Sequence, residues 1–346
     1  MGASKNTAIE NQEQEYYVDP EIKFFDCHYP DKRSEREILI DNLINRDIHM
    51  SYSKLKNLTS PVNFMNALLQ PKKKNSGMNL GSLVDCLVLE EDKFEEKFTV
   101  VSVTPTTEKQ EDFVQLVLDK MNLETFSEEL LEEKFKEAVS EGFSRVKTDG
   151  LQKYIIAIYH GKQVVSQDEY NKAKKIAEHL KNAPDVADEL CICEEFQKMI
   201  RFEYMGWEIV AILDTYSPSI FHDMKFVSNL NPDKFKWEIE KYDYELQIGV
   251  YSKGLKILGL TQNPRFKYIL YDDKFNYSVP EIEVGYIDYC ERKFENYMMR
   301  LNKMVDEKAF EKSFDFFKSK NVIYKPQWAA GFDYSIFLND QEKDEL

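Results

Sequence analysis

A chain of 346 residues, 42% apolar and 13% aromatic, can bury a full core in one large or two modest domains. Its formal charge of −16 excludes a surface that grips polyanions by general positive potential, so any nucleic-acid contact must rest on local basic groups. Five cysteines without a repeated CxxC spacing argue against a disulfide framework and a zinc site, and no run approaches the ~20 apolar residues of a membrane helix. The expectation is a soluble, cytoplasmic protein with reduced thiols and no membrane partner. Gly2 lacks the Ser or Thr at position 6 that myristoylation needs, and the final Lys343 to Leu346 tetrapeptide reads as a coincidence in an acidic tail.

Residues 1–34 are polar and aperiodic and read as an N-terminal arm. Ordered structure is expected from Glu35. Ser51 stands at a helix N-cap, and Ser60-Pro61 opens a second short helix through Leu69. The basic loop 71–77 contains Lys72, Lys73 and Lys74, either a solvated connector or a phosphate contact. Residues 78–90 form a helix apolar on most sides, so that Asp85 within it needs a reason.

Residues 98–103 predict a strand, and 108–147 predict solvated amphipathic helices, part of a helical insertion at about 105–185. Strand-like runs at 151–159 and 164–165 flank a turn at His160-Gly161. Ser166 then caps a helix over 167–182, with Glu169 at the capping-box position. Segments 197–204, 207–213 and 220–227 predict an antiparallel meander. A helical region over 232–253, strands at 266–271 and 281–287, and a helix over 289–308 complete a mixed α/β chain built on a central sheet. The domain is expected to span 35–330, with an acidic tail at 331–346.

The chemistry concentrates on the hairpin. Strand alternation puts Asp223 and Lys225 on one face, and Asp214 joins them if the register sets it opposite Phe221 or Asp223. Close carboxylates repel unless a cation lies between them, and oxygen donors suit Mg²⁺ or Mn²⁺. Such a site fits phosphodiester hydrolysis, with Lys225 orienting water or neutralising the phosphorane. Gln247 and Tyr251, at i and i+4, share a helix face with hydrogen-bonding tips. Asp85 is a third candidate ligand, and Glu90 a weaker one. The five histidines are scattered and read as structural or surface groups.

Asp214, Asp223-Met-Lys225 and Gln247-x-x-x-Tyr251 together resemble the PD-(D/E)XK nuclease superfamily, in its branch with a trailing QxxxY motif. Ser51-Tyr-Ser-Lys-Leu55, the Gly81 to Glu90 segment, the Gly161 to Tyr170 segment and Ala183-Pro184-Asp185 are similar, in order, to the exonuclease VIII (RecE-type) nuclease domain of phages and prophages. The resemblance covers about 50–330. It implies a restriction-endonuclease-like fold with a mixed central sheet flanked by helices, and metal ligands Asp85, Asp214 and Asp223. Lys225 would assist catalysis, Gln247 and Tyr251 would position the scissile strand, and Lys72, Lys73 and Lys74 could meet phosphates. It also implies an oligomeric exonuclease acting on double-stranded DNA ends beside a strand-annealing recombination protein. Other nucleic-acid substrates, or a weakened fold kept for DNA binding or assembly, remain alternatives. The chain departs from the family at Asp85, usually His, at Ile212, often basic, and at Phe226, often Thr. One cysteine after the QxxxY motif does not suffice for the 4Fe–4S cluster of a related branch.

Overall fold

The computed structural model describes residues 33–70, 76–121 and 125–317. Lys72, Lys73 and Lys74 lie outside the described residues. The helices α1 (Glu35–Asn45), α2 (Tyr52–Leu55), α3 (Pro61–Leu69), α4 (Ser76–Leu89) and α5 (Phe94–Lys97) precede strand β1 (Phe98–Val101). Helices α6 (Glu108–Met121), α7 (Glu128–Ala138) and α8 (Gln152–Tyr159) lead to β2 (Gln163–Ser166), α9 (Gln167–Asn182) and α10 (Pro184–Cys191). The main sheet opens with β3 (Glu195–Tyr204), β4 (Trp207–Tyr216) and β5 (Ile220–Phe226). Helices α11 (Pro232–Tyr242) and α12 (Tyr244–Ile257) cross to β6 (Arg265–Tyr271), followed by β7 (Tyr277–Ser278), β8 (Glu281–Ile282) and α13 (Val284–Asp306).

Caps fix several helix starts as the sequence predicts. The Ser60 hydroxyl accepts from the Asn63 amide with Pro61 in the first turn, and Ser166 and Glu169 form a reciprocal capping box. Ser51 makes no cap bond; its hydroxyl meets Ser53 at 3.0 Å, and α2 is a single turn.

The main sheet has the order β3-β4-β5-β6-β7, with β8 on β6, and is mixed: β3, β4 and β5 form the antiparallel meander, whereas β5 and β6 run parallel. A parallel neighbour requires a crossover, and α11 and α12 supply it. Alternation along the strands divides the core. Phe221, Phe266, Tyr268 and Leu270 pack with α12 and α13 on one face; Met224, Ile269 and Tyr271 pack with α4 and α9 on the other. This is the mixed sheet flanked by helices that the sequence leads one to expect. Among the described residues no helix is long and apolar enough to cross a membrane.

Three expected elements differ. Residues 151–159, strand-like through Ile155, Ile156 and Ile158, form helix α8. Buried Leu151 and Ile155 stand four apart and pack beside Phe113 and Val117 of α6, so burial imposes the helical period over β-branched preference. Consequently β1 and β2 pair in parallel as a separate two-stranded sheet, and α6 to α8 are the connection between them. The expected strand over 281–287 stops at Ile282, because Ile287, Cys290 and Phe294 recur at helical spacing and are buried on α13. Finally, the helical region over 232–253 breaks at Asp243, whose φ of +59° ends α11 and redirects the chain into α12. Tyr297 donates to the Asp243 carboxylate at 2.7 Å, and Lys293 of α13 pairs with Asp243 at 2.6 Å and also with Glu245.

Candidate active site

The hairpin register brings the carboxylates together. Strands β4 and β5 pair Thr215 with His222 and Tyr216 with Phe221, and the same register continued by one residue sets Asp214 opposite Asp223. There the ladder stops, and the Met224 amide donates instead to Asp214 Oδ2 at 2.7 Å. On the other side, β3 pairs Phe196 with Thr215 and Lys198 with Leu213, which places Gln197 against Asp214. Gln197 has a φ of +49°, and its Nε2 donates to Asp214 Oδ1 at 3.1 Å. Asp214 is thus held by both neighbouring strands.

Asp223 is 2% exposed, and Lys225, two residues along the same face, forms an ion pair with its Oδ2. Helix α12 closes this face. Gln247 Nε2 donates to Asp223 Oδ1 at 2.9 Å and to the Tyr251 hydroxyl at 2.8 Å, and both side chains are buried. Gln247 therefore acts on Asp223, and Tyr251 acts on Gln247. The Lys225 ammonium also sits 5.0 Å from the Tyr244 ring centroid, a cation–π contact in a partly desolvated setting.

Asp85 arrives from α4, on the opposite face of the sheet. Gly81, one turn earlier on that helix, allows the approach, since a Cβ there would lie 3.3 Å from Phe226 Cβ. The Tyr271 hydroxyl donates to Asp85 Oδ1 at 2.8 Å and to the Gly81 carbonyl at 3.1 Å. Phe226 fills this contact by packing its ring on Tyr271, while Ile212 is exposed.

The electrostatics bind the group into one unit. Burial, then the Asp223 charge, pushes Asp214 up to about 7. Burial and then Asp214 raise Asp85, and burial raises Asp223 against the pull of Lys225. Burial works against the Lys225 ammonium, but Asp223 and Asp214 outweigh it and hold the lysine above its usual range. Lys225 therefore carries a positive charge and donates hydrogen bonds at neutral pH, but keeps its proton.

Does this set suit a divalent cation? Three carboxylates raised by burial, with Asp214 raised further by Asp223 and Asp85 by Asp214, offer hard oxygen donors, and the buried Asp223 Oδ2 has the Lys225 ammonium as its partner. That chemistry fits Mg²⁺ or Mn²⁺, because a cation would offset both the burial and the repulsion. Among the described residues no three His, Cys, Asp or Glu side chains form a gathered metal cluster, so the carboxylates are neighbours and not a finished coordination shell. Glu90 is directed elsewhere, paired with Lys93 and Lys97.

Sequence reasoning did not find Gln197, Tyr244 or Tyr271. Each reaches the site from a non-adjacent segment; only the unusual run of tyrosines near 242–244 and 268–271 could have hinted at them. His222, read as structural, is fully buried. Its Nε2 meets Glu189 at 2.8 Å and its Nδ1 meets Thr215 Oγ1 at 2.7 Å, with burial holding its pKa below the usual value.

Comparison with curated proteins finds no match. Among solved structures, the chain is similar to a crystal structure of a Eubacterium rectale protein that carries an exonuclease designation. Identity is 13%, the alignment covers 88% of this chain and 98% of that one, and the TM-score is 0.44. So distant a likeness bears on neither fold nor activity. A family profile described as a PDDEXK-like domain of unknown function (DUF3799) matches residues 51–310, which contain α2 through α13 and every site residue above. The mixed sheet, the Asp223-Met-Lys225 strand and that match lead to one conclusion: this chain belongs to the PDDEXK-like family DUF3799, with the fold of the PD-(D/E)XK superfamily.

Proposed function

We propose that this chain is a divalent-cation-dependent nuclease that digests double-stranded DNA ends and so exposes single strands for recombination. The observation that carries the reading is the convergence of Asp214, Asp223 and Lys225 from one hairpin, with Gln247 and Tyr251 locking Asp223 from α12. The motif order shared with exonuclease VIII supports the choice of duplex ends. Asp85, Asp214 and Asp223 would hold Mg²⁺ or Mn²⁺, which supplies Lewis acidity and counter-charge at the phosphoryl centre.

The chain's own groups account for the remaining work. Lys225 keeps its proton at neutral pH and offers positive charge to phosphate oxygens as negative charge grows on them. Gln247 fixes the orientation of Asp223, and Gln197 with the Met224 amide fixes that of Asp214, so neither carboxylate must reorganise during reaction. Further partners in this reading are copies of the chain and a strand-annealing recombination protein.

Purified protein given blunt duplex, flap, single-stranded and RNA substrates with Mg²⁺ or Mn²⁺ tests the proposal. Duplex ends should be degraded fastest, and Asp223→Ala and Lys225→Ala should abolish degradation. Wild-type protein inert with both ions would sink it. A fold retained for DNA binding or assembly would then be favoured, a reading motivated by the departures at Asp85, Ile212 and Phe226 and by the acidic balance.

A further inference from the structure

Helix α11 turns Phe235 and Ile239 into the core and Trp237 outward, 71% exposed. Lys241, four residues on, shares the Trp237 face, and its ammonium sits 4.8 Å from the centroid of the Tyr242 ring. Tyr242 is itself 43% exposed, and its ring lies 5.6 Å from that of Tyr244. Tyr244 in turn carries the Lys225 ammonium. Tyr52 pins the bend by donating to the Tyr242 carbonyl at 2.6 Å. Aromatic rings and ammonium groups thus lead from solvent to the Asp223–Lys225 pair.

Two physical points define what this run fits. Rings this exposed are free to stack, and flat rings interleaved with lysines match bases interleaved with phosphates. In a chain of charge −16, Lys234 and Lys241 place two ammonium groups beside these rings, with Glu238 between them along α11. Within duplex DNA the base faces are stacked on one another, so successive rings along a strand can stack only on unpaired bases.

We propose that Trp237 and Tyr242 form a stacking path for an unpaired nucleic-acid strand, with Lys234 and Lys241 meeting its phosphates, that leads one strand toward Lys225 and Asp223. The path rests on the nuclease reading for its purpose and deepens it, since it assigns the residues that separate one strand from its complement at the site. Lys225, held against Tyr244, marks its inner end.

The test measures binding of the whole protein in EDTA to a labelled oligothymidylate and to a blunt duplex of equal length, by fluorescence anisotropy. Trp237→Ala and Tyr242→Ala should each weaken oligothymidylate binding about tenfold, the size of one base–ring stack, and change duplex binding by less than about twofold. Tyr242→Phe keeps the ring and should bind as wild type. Both positions are exposed, so neither alanine threatens the core. No binding by the wild type, no loss in either alanine variant, or equal losses on both ligands would overturn the path. Hydrolysis with Mg²⁺ keeps the two readings apart. A wild type that binds through these rings yet cleaves nothing removes the nuclease and leaves the path; one that cleaves duplex ends while both alanine variants bind normally removes the path alone.

Discussion

Gly249 of α12 lies so close to Cys290 of α13 that a Cβ on it would stand 2.1 Å from the Cys290 carbonyl oxygen. The obstacle is backbone and cannot swing aside, so the two helices touch there only because residue 249 has no side chain. Gly249 also sits midway between Gln247 and Tyr251. Gly249→Ala should destabilise the protein by about 1–3 kcal/mol, the usual cost of overpacking, and reduce hydrolysis by more than the loss of folded protein explains. Urea unfolding beside activity per folded molecule separates the two effects; unchanged values in both would show that the contact is not tight.

The Gln247 amide links Asp223 and Tyr251, and the two links should differ in weight. Gln247→Ala leaves Asp223 Oδ1 buried without its donor and frees the carboxylate to rotate, so turnover should fall about a hundredfold. Tyr251→Phe removes only an acceptor for Gln247 and should cost about tenfold or less. Steady-state kinetics on a duplex end decide; a larger loss from Tyr251→Phe would assign that hydroxyl a direct role.

Ion-free protein should become less stable as pH rises. Asp214 is raised to about 7 in the folded chain, so the stability it contributes is complete below the ordinary carboxylate range and lost as pH climbs through about 7. Asp85 and Asp223, also raised, act in the same direction. Buried His222, lowered, acts oppositely: its contribution is present above the usual histidine range and lost as pH falls. Urea midpoints in EDTA should fall between about pH 5 and 8, less steeply in Asp214→Asn, and Mg²⁺ should recover stability most at the alkaline end. A wild-type slope equal to that of Asp214→Asn would refute the coupling.

His222→Ala offers a contrast. It should destabilise the fold by about 1–3 kcal/mol by removing the ring contact of Thr215 Oγ1 and leaving Glu189 with Lys267 alone. Its effect on Mg²⁺ affinity, measured by calorimetry on folded protein, should be small, because the ring faces away from Asp223. A large loss of affinity would place His222 in the site.

The sequence was most legible where a local period coincides with a chemical group. Asp223 and Lys225 share a strand face by alternation, and Gln247 and Tyr251 share a helix face by i,i+4 spacing; the folded chain keeps both relations. The hairpin register was open in the sequence, and the Thr215–His222 pair resolves it toward Asp223. Gln197, Tyr244 and Tyr271 were illegible because each serves a residue distant in sequence, a relation that leaves no periodic trace. Residues 151–159 misled for the opposite reason: their isoleucines favour a strand locally, and only the packing of Leu151 and Ile155 beside α6 makes them helical.

Lys293 grips Asp243 and Glu245 at the bend before α12 from a helix some forty residues downstream. Whatever angle that fastening sets is inherited by every group on α12, as a hinge pin sets the swing of a door. Drift at position 293 would therefore impair the molecule while leaving each recognisable motif intact, and a family member disabled in this way would pass unnoticed in any survey that scores signature residues alone.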